Sequence, residues 1–239
     1  MASLDPSAYP RRSPLYRELA ALGAEFEEVA GAACAARCGA DADAEVAQAR
    51  TLGVCDLSVL PRGGFKGWGA IEWASKRGAA LGPENNRTYT QDDGTLLARL
   101  ADSEILLLGD LSGRARVAGE LVAAWSETRP EGVYPVPRAD ANCWFAIAGE
   151  HGPAMLAKLC GVDFRPARFA PGMVAQTSLA RLNTIVIRDD LRATPGYHLL
   201  TDFASARYMF SCLADAMVEF DGAPVGVAAL RRLQEGNSE

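Results

Sequence analysis

The chain has 239 residues, with 24 Lys and Arg against 30 Asp and Glu, a net charge of −6. That length is enough for one large domain or two small ones with a real core. The acidic balance argues against a broad phosphate-binding surface, which needs clustered Lys and Arg. The longest apolar runs, such as 105–108, are far too short to span a bilayer, and residues 1–12 carry Asp5 and two prolines with no apolar signal region. A cytoplasmic protein without nucleic-acid or membrane partners is expected.

In chain order, residues 1–12 read as a flexible leader. Ser13-Pro14 is a helix start, with Ser as cap and Pro at the first helical position, and Leu15, Leu19 and Leu22 on one face up to Gly23. Residues 30–40 are rich in Ala, Gly and Cys and carry no clear pattern. A helix is expected over 43–52 and a strand over 54–60. Residues 61–69 (Pro-Arg-Gly-Gly-Phe-Lys-Gly-Trp-Gly) read as the most glycine-rich loop, with a helix after it over 70–77. The runs 96–100 and 104–108, parted by Ala101-Asp102-Ser103, fit a hairpin. An amphipathic helix is expected over 112–127.

Pro130-Glu131-Gly132 is the clearest internal boundary. Beyond it the pattern gives strands over 143–148, 174–179, 182–188 and 196–201, and helices over 149–159, 205–218 and 224–234. Strands and helices mix without strict alternation, which favours an α+β fold over a doubly wound sheet.

The chemistry-bearing residues are scattered. Cysteines stand at 34, 38, 55, 143, 160 and 212, with no Cys-x-x-Cys pair and no adjacent His, so free thiols and no metal site are expected. Residues 63–69 contain neither phosphate-loop pattern. The two histidines, His151 and His198, are each isolated, and His198 reads as a strand histidine with its hydrogen bonds met. Asp189-Asp190 reads as an exposed turn. Asp56, within a strand-like segment, needs partners and is either a buried anchor or a ligand contact. No G-x-S-x-G is present. The residues by themselves assign no catalytic set and no bound cofactor.

The order of motifs nevertheless resembles a family. Ser13-Pro-Leu-Tyr-Arg-Glu-Leu, then Ala49-Arg-Thr-Leu-Gly-Val-Cys-Asp-Leu-Ser, is similar to the start of the glycine-cleavage T protein. Asn142-Cys-Trp-Phe-Ala-Ile-Ala-Gly-Glu-His-Gly-Pro resembles its second-half strand and helix, and Gly222-Ala-Pro-Val-Gly-Val-Ala-Ala its turn into the last helix. Asp56-Leu-Ser-Val-Leu-Pro-Arg-Gly-Gly-Phe-Lys-Gly, Asp93-Gly-Thr-Leu-Leu-Ala-Arg-Leu and Gly172-Met-Val-Ala-Gln-Thr-Ser-Leu-Ala-Arg-Leu place the resemblance nearest the gamma subunit of heterotetrameric sarcosine oxidase.

The resemblance implies a T-protein-like folate-binding fold of two subdomains, 13–129 and 130–239, each of mixed antiparallel sheet with flanking helices, and no C-terminal barrel domain. It implies an accessory subunit beside flavoprotein alpha- and beta-type subunits in an oxidoreductase linked to one-carbon metabolism, with Phe65, Lys66 and Trp68 as candidate partner contacts. The alternative it leaves open is a stand-alone tetrahydrofolate-dependent aminomethyltransferase or demethylase. Asp56, Asp190 and Glu235 are then the candidate acid–base residues, and Thr194, Tyr197, Arg181 and Glu235 the candidate folate contacts. Three family carboxylate positions depart from the pattern: Gly94-Thr-Leu-Leu is followed by Ala98-Arg99, Thr194 stands where the family has a pterin-binding Glu, and Gln234 and Gly236 replace an Arg-x-Glu. A neutral hydroxyl cannot supply a two-acceptor clamp.

Overall fold

A computed structural model describes residues 4–39 and 41–236; the first three residues of the expected leader, Ala40 and residues 237–239 lie outside the described residues. The rest of the leader is held in place. Leu4 N–H donates to Phe26 O at 3.1 Å, Asp5 caps a short 3-10 turn, and Ala33 N–H donates to Arg11 O at 3.2 Å. Backbone pairing, which composition does not report, makes this segment an extension of the first hairpin.

Helix α1 (Tyr16–Ala21) buries Leu19. Residues without a sequence pattern then form an antiparallel hairpin of β1 (Glu25–Val29) and β2 (Ala32–Arg37). Its two-residue turn, Ala30 and Gly31, has positive φ at both positions, matching the twist of the strands. Helix α2 (Ala42–Leu52) starts at Asp41, whose side chain accepts from Asp43 and Ala44 N–H at 3.0 Å. It runs directly into β3 (Gly53–Asp56).

The glycine-rich segment corrects the reading of a loop: Arg62–Lys66 is a buried strand, β4. Gly64 is needed there because the chain is crowded at that position. A Cβ on Gly64 would lie 2.7 Å from Ile105 O and 3.4 Å from Arg138 Nε. Helix α3 (Ala70–Ser75) follows, then β5 (Arg87–Thr90), β6 (Leu96–Ala101) and β7 (Glu104–Leu108). Helix α4 (Val117–Thr128) has no cap of its own; Asp93, from the β5–β6 turn, accepts from Arg116 and Val117 N–H at 2.6 and 2.8 Å.

The second half runs β8 (Tyr134–Pro135), α5 (Arg138–Ala141), β9 (Asn142–Ala148), α6 (Gly152–Ala157), β10 (Val174–Leu179), β11 (Leu182–Arg188), β12 (Gly196–Asp202), α7 (Ala206–Met217), β13 (Ala223–Pro224) and α8 (Val227–Glu235). The two large sheets have the orders β10-β11-β12-β9-β3-β13 and β5-β6-β7-β4-β8. Both cross residue 130, since β3 pairs with β9 and β4 with β8, so the two halves are interleaved.

The cores follow from the two-residue period of the strands. Leu96, Ala98, Leu106 and Leu108 of one sheet meet Trp144, Ala146, Ile187 and Leu200 of the other, with Leu230 and Leu233 of α8 closing the end. The outer face of the six-stranded sheet (Phe145, Ile147, Leu199) packs on α6 and α7, and that of the five-stranded sheet (Phe65, Leu97, Leu107) on α3 and α4. The result is two sheets face to face with helices outside, an α+β fold. No helix among the described residues is long and apolar enough to cross a membrane.

Candidate functional site

The inner faces of the sheets part at one end of the shared core. The opening is lined by Leu96 and Leu108 from β6 and β7, Trp144 and Ala146 from β9, His198 from β12, Asp189 and Leu191 from the loop between β11 and β12, and Leu230 and Gln234 from α8. The cavity is about 40 Å³, room for about three waters at ~10–15 Å³ each.

Its polar feature is a chain of three side chains. Trp144 Nε1–H donates to His198 Nδ1 at 3.0 Å, and His198 Nε2 lies 3.3 Å from Asp189 Oδ2. An indole N–H only donates, so Nδ1 is the acceptor and the neutral ring carries its proton on Nε2, directed to Asp189. The two rings meet edge to face with centroids 5.4 Å apart. Trp144 and His198 occupy diagonal positions on paired strands, as His198 stands opposite Ala146 and Leu200 opposite Trp144. His198 is therefore not isolated, and Asp189 is not a free turn residue; strand register joins residues 54 positions apart.

The rim is tied down. Arg192 Nε–H donates to Gln234 O at 2.7 Å, joining the 189–196 loop to α8. Asp110, also at the cavity, spends both carboxylate oxygens on its own turn, accepting from Arg114 and Ala115 N–H at 2.7 and 2.8 Å and from Ser112. Partial burial raises its carboxyl, and these hydrogen bonds outweigh that and hold it below the ordinary carboxylate range.

The candidate acid–base residues are not brought together at the cavity. Asp56 is buried; it accepts from Ser13 Oγ and from Ser58 N–H at 2.9 Å. Burial pushes its carboxyl up, against those hydrogen bonds. It joins the segment before α1 to the turn after β3. Asp190 forms a two-pronged pair with Arg188 (2.9 and 2.8 Å) and accepts from Gly196 N–H at 3.2 Å, so it is not a free turn residue either. Glu235 is exposed at the end of α8, while Gln234 lines the cavity.

Among the candidate folate contacts, Thr194 closes a tight turn with Leu191 through two backbone bonds. Tyr197 is buried with its hydroxyl donating to Phe164 O at 2.8 Å, and burial pushes it up to about 12. Arg181 is exposed in the β10–β11 turn. Of these positions Tyr197 lines the cavity while Thr194 and Arg181 do not, and β6 presents the apolar Leu96 to it. At about 40 Å³ the cavity is small beside ligand pockets, which run to roughly 300–1,000 Å³.

The candidate partner contacts divide. Phe65 is fully buried and packs on Trp73 with ring centroids 4.8 Å apart, so it is core and not contact; β4 alternation turns it under α3. Lys66, the next residue, points outward and pairs with Glu104 at 3.3 Å. Trp68 is 76% exposed, with Tyr134 at 62% on the adjoining strand. Trp68 leans over Gly132, where a Cβ would meet its ring at 2.2 Å.

No group of three or more His, Cys, Asp or Glu side chains that could hold a metal gathers among the described residues. The described cysteines are unpaired, and burial raises the thiols of Cys34, Cys38, Cys55 and Cys143, the last to about 12.

No family model matches the chain. On sequence it is 26% identical over 232 residues to an aminomethyltransferase of Saccharopolyspora erythraea, covering 92% of this chain and 61% of that protein. On structure it superposes on glycine cleavage system aminomethyltransferase T from Bartonella henselae with a TM-score of 0.73 at 19% identity, covering 94% of this chain and 62% of that one. It also matches a chain of heterotetrameric sarcosine oxidase from Corynebacterium sp. U-96, with a TM-score of 0.61 at 20% identity, over 89% of this chain and 97% of that one. The chain thus spans about three fifths of the aminomethyltransferases it matches. Two face-to-face sheets with outer helices, interleaved across residue 130, are the T-protein-like fold, and this chain has it.

Proposed function

We propose that this chain is an accessory, gamma-type subunit of a heteromeric sarcosine oxidase or a related N-methyl-amine oxidoreductase, placed beside flavoprotein subunits in the cytoplasm. The observation that carries the reading is the cavity. Where the two sheets open, the space is about 40 Å³ and is walled in part by Trp144 and His198. Asp110 there is consumed by its own turn. General acid–base work on a folate nitrogen needs an uncommitted carboxylate in reach; Asp189 at the cavity is engaged by His198, and Asp56 and Asp190 serve as structural anchors. The match over 97% of a sarcosine oxidase chain supports the same reading.

The partner face in this proposal is the exposed pair Trp68 and Tyr134 with Lys66 at its edge. Large aromatics exposed side by side are characteristic of binding hot spots. Purification of the chain from its native host tests the proposal: flavoprotein subunits co-elute in fixed ratio, and tetrahydrofolate produces neither heat nor a thermal shift with the isolated chain. Recovery as a lone monomer that binds tetrahydrofolate overturns it in favour of a stand-alone transferase.

A further inference from the structure

The end of the sheet sandwich opposite the Trp144–His198 cavity holds a second pocket, of about 350 Å³. It lies between α5 and the inner face of the six-stranded sheet. Its walls include Arg138, Asn142, Gln176 and Asn183, and its floor Ile185 and Leu200. Strand register explains the grouping. Gln176 stands opposite Ile185 and Ile185 opposite Leu200, so these three form one cross-strand row on the inner face.

The charge of this pocket is unbalanced. Arg138 is the one charged residue in its lining, and its side chain is 12% exposed. Its Nη2 pairs with Glu104, which is shared with Lys66 at 3.3 Å, so two cations face one carboxylate. The rest of the guanidinium is poorly satisfied. Nη1 reaches Asn142 Oδ1 only at 3.4 Å, and the buried Nε has no partner. Across the pocket, the exposed Asn183 offers a side-chain amide that makes no bond within the described residues, while its backbone carbonyl accepts from Thr201 at 3.1 Å.

We infer that this pocket binds a small monocarboxylate with an apolar body. The carboxylate sits between the Arg138 guanidinium and the Asn183 amide, and the apolar body lies on Ile185 and Leu200. One surplus positive charge suits a monoanion; Glu104 stands too near for a dianion such as phosphate to be preferred. Guanidinium geometry matches a planar carboxylate. The inference does not rest on the accessory-subunit reading, because it concerns this chain alone.

The test is a titration of the full chain, labelled with ¹⁵N, with sodium butyrate at constant ionic strength, followed by amide NMR. The expected result is saturable shifts of the Asn183 and Asn142 side-chain amides, tighter for butyrate than for acetate, and none with butylammonium chloride. Asn183→Asp, an exposed change that places a second carboxylate in the pocket, weakens butyrate at least tenfold while the melting temperature stays within about 2 °C. Arg138→Lys keeps part of the binding and Arg138→Gln abolishes it. Absence of saturable shifts, equal response to phosphate, or unchanged butyrate binding in Asn183→Asp overturns the assignment.

Discussion

Replacing Asp93 with Asn separates a structural carboxylate from a catalytic one. Asp93 accepts from Thr95 N–H at 2.9 Å and from Arg116 and Val117 N–H at 2.6 and 2.8 Å, so it caps α4 across 23 residues of sequence. Partial burial raises its carboxyl, but these backbone donors prevail and bring it down from 3.8 to about 2. That drop corresponds to about 2.4 kcal/mol at about 1.36 kcal/mol per pH unit; solvent screening of a partly exposed group reduces it to about 1–2 kcal/mol. Loss of a helix cap costs about the same. The unfolded chain binds the proton first as pH falls, so the contribution is complete above about pH 5 and is lost as pH drops from there to about 2. Urea unfolding of wild type and Asp93→Asn across pH 2–7 reads it. The two differ by about 1–2 kcal/mol at pH 7, roughly 2–8 °C in melting temperature, and converge near pH 2. A difference that persists unchanged at pH 2 refutes the reasoning.

Trp144→Phe removes the one donor to His198 Nδ1, and a buried acceptor left unmet costs about 1–3 kcal/mol. Histidine ¹⁵N shifts then show loss of the pure Nε2–H tautomer; an unchanged tautomer and urea midpoint contradict the assigned chain. Gly226→Ala places a Cβ 2.0 Å from Ala36 O, against backbone that cannot yield, and pushes α8 off β2. A loss of about 3 kcal/mol or more is expected in chemical denaturation, and a change below about 1 kcal/mol argues that α8 shifts freely. Trp68→Ala removes an exposed ring and leaves the isolated chain's unfolding midpoint within about 1 kcal/mol, while co-elution with flavoprotein subunits is lost. Retained co-elution moves the partner face elsewhere.

Local chemistry accounts for what could be read directly. The hairpin of β6 and β7, the strands β9 to β12 and the helices α2 and α7 carry their apolar period and turn residues within a dozen positions, so each is specified where it stands. The hairpin of β1 and β2 was illegible because its alanines suit helix as well as strand. It is a strand pair because the leader bonds along it and α8 packs on Ala32 and Cys34. Gly63 and Gly64 suggest a loop in isolation, yet they lie in a strand paired with β7, and at Gly64 the Ile105 backbone and Arg138 approach too closely for a side chain. Phe65 was misplaced for the same reason, since a loop residue has no inward face and a strand residue does.

The amino-acid sequence by itself determined the α+β class, most of the longer strands and helices, and the positions after Leu97 and at Thr194 and Gly236 where it departs from the carboxylates of the family it resembles. Those are properties of residue type and short-range period. Only the tertiary structure decided that Trp144, His198 and Asp189 form one chain at a small cavity, and that Arg138 and Asn183 line a larger one. Both groupings depend on strand register and on the packing of two sheets, which bring together side chains 45 to 54 positions apart. A one-residue slip in either sheet would send the same side chains to the opposite face.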